Sequence, residues 1–325
     1  MIPESPLLFE PVAMERVWGG RGFETSLGKK IPLGSIGELW EMVDRPEAQS
    51  FVQNGHLQGI TLHDLWQNQR EFIFGSLHSG NPSDRFPLLI KLLDAKERLS
   101  VQVHPPASKA EELKGEPKTE CWYFLNATDE AVIYAGLKNG VTRKAFEKSL
   151  QEKNVEEMLH CLPARKGESI FIPSGRLHAI GGGLIIVEIQ QNSDTTYRVF
   201  DWNRTGLDGK PRILHLQESL ASIDFEDFQP ELTPASASLI ADCPYFHVEK
   251  RTLDIPLNVG RQNDFSIVTC LSGELECLGI NLKSGGSMLV PSVLINPTLV
   301  PKDAETSVLI TTLPAFSTSV RTHPK

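Results

Sequence analysis

The stretch Lys166-Gly167-Glu168-Ser169-Ile170-Phe171-Ile172-Pro173-Ser174, with His178 five residues beyond Pro173, is where the reading of this chain begins. A glycine suited to a tight turn, three apolar residues and then a proline describe a short strand, closed by a residue that cannot donate a ladder hydrogen bond. The same pattern returns in Ser284-Gly285-Gly286-Ser287-Met288-Leu289-Val290-Pro291-Ser292, where Asn296 stands at the place of the histidine. A strand-rich stretch with a glycine turn precedes each copy. An internal repeat of this kind predicts two β-domains, of which only the first keeps a histidine in that position.

Outward from these stretches the chain continues in short strands. Leu88 to Ala95 is an apolar run suited to a buried strand, followed by Leu99 to His104, Glu120 to Leu125 and Ala131 to Ala135. After Gly167 come Leu184 to Gln190 and Thr196 to Asp201, and beyond residue 236 the chain reads almost only as strands. Helices are expected after Thr61, with Leu62, Leu65 and Trp66 on one face, from Ser108, after Thr142 with Phe146 and Leu150, from Val155 to Leu159, and over 215–224. The Gly-turn, apolar-strand, Pro segment resembles the second sequence motif of cupins. The fold expected is therefore mainly β, two cupin-type double-stranded jelly rolls with a few added α-helices. The polar, proline-containing segment 226–235 is expected to be a linker between a catalytic domain, 1–225, and a degenerate jelly roll, 236–325.

Composition narrows the function. The 325 residues carry a net charge of −9 with 22% charged and 40% apolar residues, a balance that argues against nucleic acid as a partner. An anionic ligand would need a local basic cluster. No apolar run reaches membrane-spanning length, and the N-terminal residues lack the pattern of a signal peptide. Five cysteines with no C-x-x-C pair suit reduced thiols, and the expected location is cytoplasmic.

Side chains alternate along a strand, so Ser100, Gln102 and His104 share one face while Val101 and Val103 share the other. Lys118 and Glu120 likewise face one way. Taken singly, a Gln-x-His strand is an ordinary polar face and a histidine after a turn is an ordinary loop residue. Placed together in a jelly-roll interior, Gln102, His104, Glu120 and His178 offer an amide oxygen, two imidazoles and a carboxylate. A set without thiolate suits one divalent metal, zinc first, with manganese, cobalt or iron also compatible.

Three stretches, Leu99-Ser100-Val101-Gln102-Val103-His104-Pro105, Gly115-Glu116-Pro117-Lys118-Thr119-Glu120-Cys121-Trp122-Tyr123 and Phe171-Ile172-Pro173-Ser174-Gly175-Arg176-Leu177-His178-Ala179, resemble type I mannose-6-phosphate isomerase. Arg16-Val17-Trp18-Gly19-Gly20, Ile36-Gly37-Glu38-Leu39-Trp40 and Tyr197-Arg198-Val199-Phe200-Asp201-Trp202 support the match, which spans essentially the whole chain. The large helical insertion of longer members is missing, as in the shorter bacterial form. The resemblance implies zinc ligands at Gln102, His104, Glu120 and His178, an active-site arginine at Arg198, and Ser100 and Lys118 in the sugar-phosphate pocket. Arg204 stands where many longer members have lysine, so the charge is kept.

The implied reaction is aldose–ketose isomerisation between mannose 6-phosphate and fructose 6-phosphate, with a sugar phosphate as the small-molecule partner. A metal near O1 and O2 would stabilise the developing oxyanion, and Lys118, Arg198 and Arg204 would form the basic cluster. The proton carrier stays open among a zinc-bound water, Lys118 and a carboxylate such as Glu41, while Glu188 and Gln190 read as a polar strand face. Two alternatives stand beside this reading: another metal-dependent cupin such as an iron oxygenase, and a non-catalytic sugar-binding regulatory cupin.

Overall fold

The computed structural model describes residues 3–315. Residues 1–2 and 316–325, the outer ends of the two expected domains, lie outside the described residues. The chain is mainly β, built of antiparallel sheets with a few short helices. Its described residues form two compact units, one of Val12–Trp40 and Leu88–Ile240, the other of 3–11, Glu41–Pro87 and 241–315.

The first unit is a two-sheet jelly roll. One sheet has the order Val12–Gly20, Ile36–Met42, Leu88–Ala95, Leu184–Gln191, Glu120–Ala127, Ser169–Ile172. The other runs Tyr197–Phe200, Val101–Val103, His178–Ile180, Val132–Leu137, Leu159–Pro163. Leu88–Ala95 has neighbours on both edges and is buried throughout, which is why it reads as a nearly unbroken apolar run. The inner faces share one core: Trp122, Phe124, Ile170 and Ile172 from the first sheet meet Ile133, Ala135 and Ile180 from the second.

The outer face of the second sheet is closed by helices. Thr142 caps Arg143–Glu152 by accepting a hydrogen bond from the Ala145 N–H. Phe146 of that helix joins a core with Val101, Val103 and Val199. Burying Val101 and Val103 outward leaves Gln102 on the inner face. The alternation read from the sequence thus holds across this strand. Val155–Met158 is a 3-10 turn rather than an α-helix, and the helical turn expected from Ser108 through Leu113 is present as Ala107–Ala110.

The second unit repeats the plan. Its larger sheet includes Ser287–Val290, Ser266–Ser272 and Ser307–Thr312 in that order, matching Ser169–Ile172, Glu120–Ala127 and Leu184–Gln191. Its smaller sheet runs Leu257–Asn258, Thr298–Pro301, Glu274–Cys277, Ile280–Lys283. The turn glycines of the two repeats, Gly167 and Gly285, both have positive φ (91° and 79°). Apolar residues fill this interior, among them Val268, Leu275, Met288 and Leu299, and Asn296 is exposed.

The units differ from the boundaries expected at 1–225, 226–235 and 236–325. Residues 41–87, including the Thr61-capped helix Leu62–Asn68, belong with the C-terminal jelly roll. The segment 226–235 is not a free linker: Phe228 bridges to Leu137, Thr233 pairs with Ser169, and Leu232 packs on the core. Strand pairing and burial recruit a segment irrespective of its place in the chain, and its polar, proline-containing composition does not reveal this.

Candidate active site

His104, Glu120 and His178 are brought together inside the first unit, with one potential ligand atom of each lying within 4.8 Å of the others. The sheets dictate this meeting. His178 pairs in register with Gln102, and Glu120 starts the strand whose next inward residue, Trp122, packs edge-on beneath the His178 ring at 5.4 Å. Glu120 Oε2 lies 3.6 Å from His104 Nε2, and Glu120 Oε1 lies 3.7 Å from His178 Nε2.

Backbone carbonyls settle the tautomers. His104 Nδ1 donates to the Thr195 carbonyl and His178 Nδ1 to the Arg176 carbonyl, each at 2.8 Å. A carbonyl only accepts, so each Nδ1 carries the proton and each Nε2 presents a lone pair in the neutral ring. Burial, reinforced by the charge of Lys118, lowers the His104 pKa. Burial together with the His104 ring pushes that of His178 down to about 3. Burial opposes ionisation of Glu120, yet the Lys118 ammonium beside it holds its carboxyl well below the usual range.

Two neutral nitrogen lone pairs and one carboxylate therefore converge in a buried place. Among the described residues neither Nε2 atom nor Glu120 Oε1 has a hydrogen-bond partner. Unsatisfied buried acceptors are costly unless something positive completes them. Tetrahedral donors bonded at about 2.0–2.2 Å to one ion stand roughly 3.3–3.6 Å apart, close to the separations seen. The residues present fit a divalent metal, and the carbonyl partners of the Nδ1 atoms are the outer support that metal-binding histidines use.

Beside the cluster opens a cavity of about 380 Å³. Gln102 and Lys118 border it, as do Ser100 and Arg198, so these four expected residues lie together. Lys118 Nζ is 2.6 Å from Glu120 Oε2 and 3.5 Å from Glu188 Oε1. Arg198 pairs in register with Gln102 and donates from Nη1 to the Ile213 carbonyl, while its Nε is buried without a partner among the described residues.

Arg204 departs from expectation. It does not line the cavity; its guanidinium is held by Asp201 and by the Arg98 carbonyl. Arg212, eight residues further, lines the cavity instead. Glu41 also falls elsewhere. It does not line the cavity, whereas Glu38, on the opposite face of the same strand, does.

Glu188, read from sequence as a polar strand face, lines the cavity together with Lys91, Arg16 and Asp194. The signal available in advance was a charged residue inside an otherwise apolar buried run, as for Lys91 in Leu88–Ala95 and Glu188 in Leu184–Gln191. Burial and the neighbouring Glu120 charge raise the Glu188 pKa. Trp18 forms part of the cavity wall, and Trp40 donates from its indole to Glu38 at 2.7 Å.

Fold and site together define a cupin that encloses a histidine–carboxylate cluster at a charged cavity. The model of the type I phosphomannose isomerase catalytic domain matches residues 7–135. The chain is 36% identical to mannose-6-phosphate isomerase ManA of Bacillus subtilis over 299 residues, 88% of this chain and 93% of that one. It is 33% identical to mannose-6-phosphate isomerase of Streptococcus mutans over 301 residues, 89% of this chain and 93% of the relative.

The solved Bacillus subtilis mannose 6-phosphate isomerase matches the structure with a TM-score of 0.83 at 30% identity, covering 94% of this chain and 99% of that one. The apo form of the Salmonella typhimurium enzyme shares the fold, with a TM-score of 0.72 at 16% identity over 96% of this chain and 100% of the other. The chain belongs to the type I mannose-6-phosphate isomerase family and is an enzyme of this type. Among the described residues no helix is long and apolar enough to cross a membrane.

Proposed function

We propose that the protein is a metal-dependent aldose–ketose isomerase that interconverts mannose 6-phosphate and fructose 6-phosphate, moving a proton between C1 and C2 through an enediolate. The observation that carries this reading is the convergence of two Nε2 lone pairs and an ionised carboxylate next to a cavity lined with cations. The names of the similar enzymes from Bacillus subtilis and Streptococcus mutans agree with it.

Gln102, His104, Glu120 and His178 would hold the metal, and zinc suits their nitrogen and oxygen donors. When bound, such an ion polarises the sugar carbonyl and stabilises negative charge on its oxygen. The rest is the work of side chains. Ser100, beside the strand Val101–Val103, and Arg198, on the strand paired with it in the same sheet, orient the sugar phosphate, and Lys118 keeps a fixed positive charge beside Glu120. Glu188, a buried carboxylate on the cavity wall within 3.6 Å of two ammonium groups, is placed to carry the proton. A cytoplasmic location is part of this reading and rests on the odd number of cysteines and the lack of a C-x-x-C pair.

The test is to purify the protein, determine its metal content by elemental analysis, and follow fructose 6-phosphate formation from mannose 6-phosphate in a coupled assay. Turnover that disappears with chelator and returns with zinc supports the reading. No product with the metal restored would sink it.

A further inference from the structure

The guanidinium groups of Arg198, Arg204 and Arg212 are gathered around a single carboxylate. Asp201, 6% exposed at its side chain, takes both Arg204 and Arg212: Arg204 Nε donates to Oδ1 at 2.9 Å, and Arg212 Nε donates to Oδ2 at 2.7 Å with a further contact from Nη2 to Oδ1. Among the described residues Arg198 has only the Ile213 carbonyl on Nη1, its Nε is buried without a partner, and Arg204 Nη2 is likewise buried without one. Burial and the Arg212 charge lower the pKa of Arg198. Guanidinium stays protonated at neutral pH regardless, so three positive charges face Asp201, with Glu97 acting on Arg204 as well, and positive charge remains in excess.

The remaining cavity cations have carboxylates of their own. Arg16 is bound to Glu38, and Lys91 lies among Glu38, Glu188 and Asp194. Lys118 is matched by Glu120 and Glu188. The uncompensated charge is thus confined to the Arg198–Arg212 side. A phosphate monoester carries about −1.5 to −2 at neutral pH and accepts bonds on three oxygens. It matches that excess, and planar guanidinium forks suit it.

We propose that Arg212, held by Asp201, binds the phosphate group of the substrate together with Arg198, and that Arg204 acts only by sharing Asp201. Arg212 lines the cavity with Arg198, and Arg204 does not. Asp201 is a positioning residue: it fixes the Arg212 fork while Arg204 takes up part of its charge. This rests on the isomerase reading for the identity of the substrate, but the anion site has a test of its own.

Inorganic phosphate is titrated calorimetrically into wild type, Arg212→Gln and Arg204→Gln, with no turnover needed, and mannose 6-phosphate kinetics are measured on the same proteins. The loss of a charge-assisted pair predicts phosphate binding about 10- to 100-fold weaker in Arg212→Gln. KM for mannose 6-phosphate rises in parallel, kcat changes less than about threefold, and Arg204→Gln shifts both affinities by less than about threefold. Arg212→Lys, which keeps a charge without the fork, falls between wild type and Arg212→Gln; it decides the matter should Arg212→Gln prove too unstable to purify.

Unchanged phosphate affinity in the Arg212 variants, or a larger loss in Arg204→Gln, would overturn the proposal. A wild type that binds phosphate through Arg212 yet fails to isomerise mannose 6-phosphate would leave the anion site standing and remove the isomerase reading.

Discussion

Lys118 Nζ stands 2.6 Å from Glu120 Oε2, and both side chains are almost wholly shielded from solvent. The lysine is an internal counter-ion for the carboxylate that would also meet the metal. Without metal, Lys118→Met leaves Glu120 buried beside neutral imidazoles. Breaking a buried pair from one side costs about 3–5 kcal/mol, so the metal-free variant is expected to unfold well below wild type. Added zinc restores a positive partner and raises its melting point by more than it raises that of wild type. Calorimetric melts of stripped and loaded protein check this, and equal shifts in both would show that Lys118 does not compensate the charge.

His178 is fully buried, with Nδ1 tied to the Arg176 carbonyl and Nε2 directed at Glu120. His178→Ala removes a donor while leaving Arg176 and the strand pairing in place. Metal affinity is expected to fall by at least about 100-fold, more than the loss of an outer supporting group produces, and isomerase activity should fall with it. Elemental analysis after dialysis reads the first and the coupled assay the second. Wild-type metal content in this variant would mean that the ligand has been misassigned.

Glu38 sets a pH dependence of stability. Burial alone would raise its pKa, but Lys91, Arg16 and the Trp40 indole bring it from 4.5 down to about 2. A carboxyl depressed in the folded state contributes stability above its unfolded pKa and loses it as pH falls through the folded value. The contribution is on the order of 3 kcal/mol, present at neutral pH and lost between about pH 4.5 and 2. Urea unfolding of wild type and Glu38→Gln across this window should show a shallower pH slope in the variant; identical slopes would contradict the assignment.

Gly37 has no room for a methyl group. A Cβ there would stand 2.6 Å from Arg16 Cβ and 2.7 Å from Trp18 Cζ3. Arg16 and Trp18 both line the cavity, so Gly37→Ala should cost about 1–3 kcal/mol by overpacking and also raise KM. Denaturant titration and steady-state kinetics measure the two effects. A stable variant with unaltered KM would show that the strands yield there without disturbing the cavity wall.

Much of the site was legible because strand alternation is a local rule. Ser100, Gln102 and His104 share a face wherever that strand is placed, and the outward burial of Val101 and Val103 follows from the same period. Arg212 was not legible as a cavity residue, whereas Glu188 carried the signal of a charge inside an apolar run. Nothing in the immediate neighbours of Arg212 separates a lining charge from a solvated one, and the distinction depends on which strands and loops are opposed in space. Glu41 and Glu38 show the converse: three residues apart on one strand, they point to opposite faces, and only the pairing of that strand shows which face meets the cavity.

The amino-acid order alone determined that the chain repeats a Gly-turn, strand, proline segment, that it is mainly β, and that its first copy alone keeps a histidine, because turn chemistry and period-2 alternation act over a few residues. The division of the chain was a tertiary matter: residues 41–87 complete the C-terminal unit and 226–235 packs on the first. So was the choice between Arg204 and Arg212 at the cavity. Burial, strand pairing and charge matching act between residues far apart in sequence, and no local pattern encodes which of several suitable partners is met.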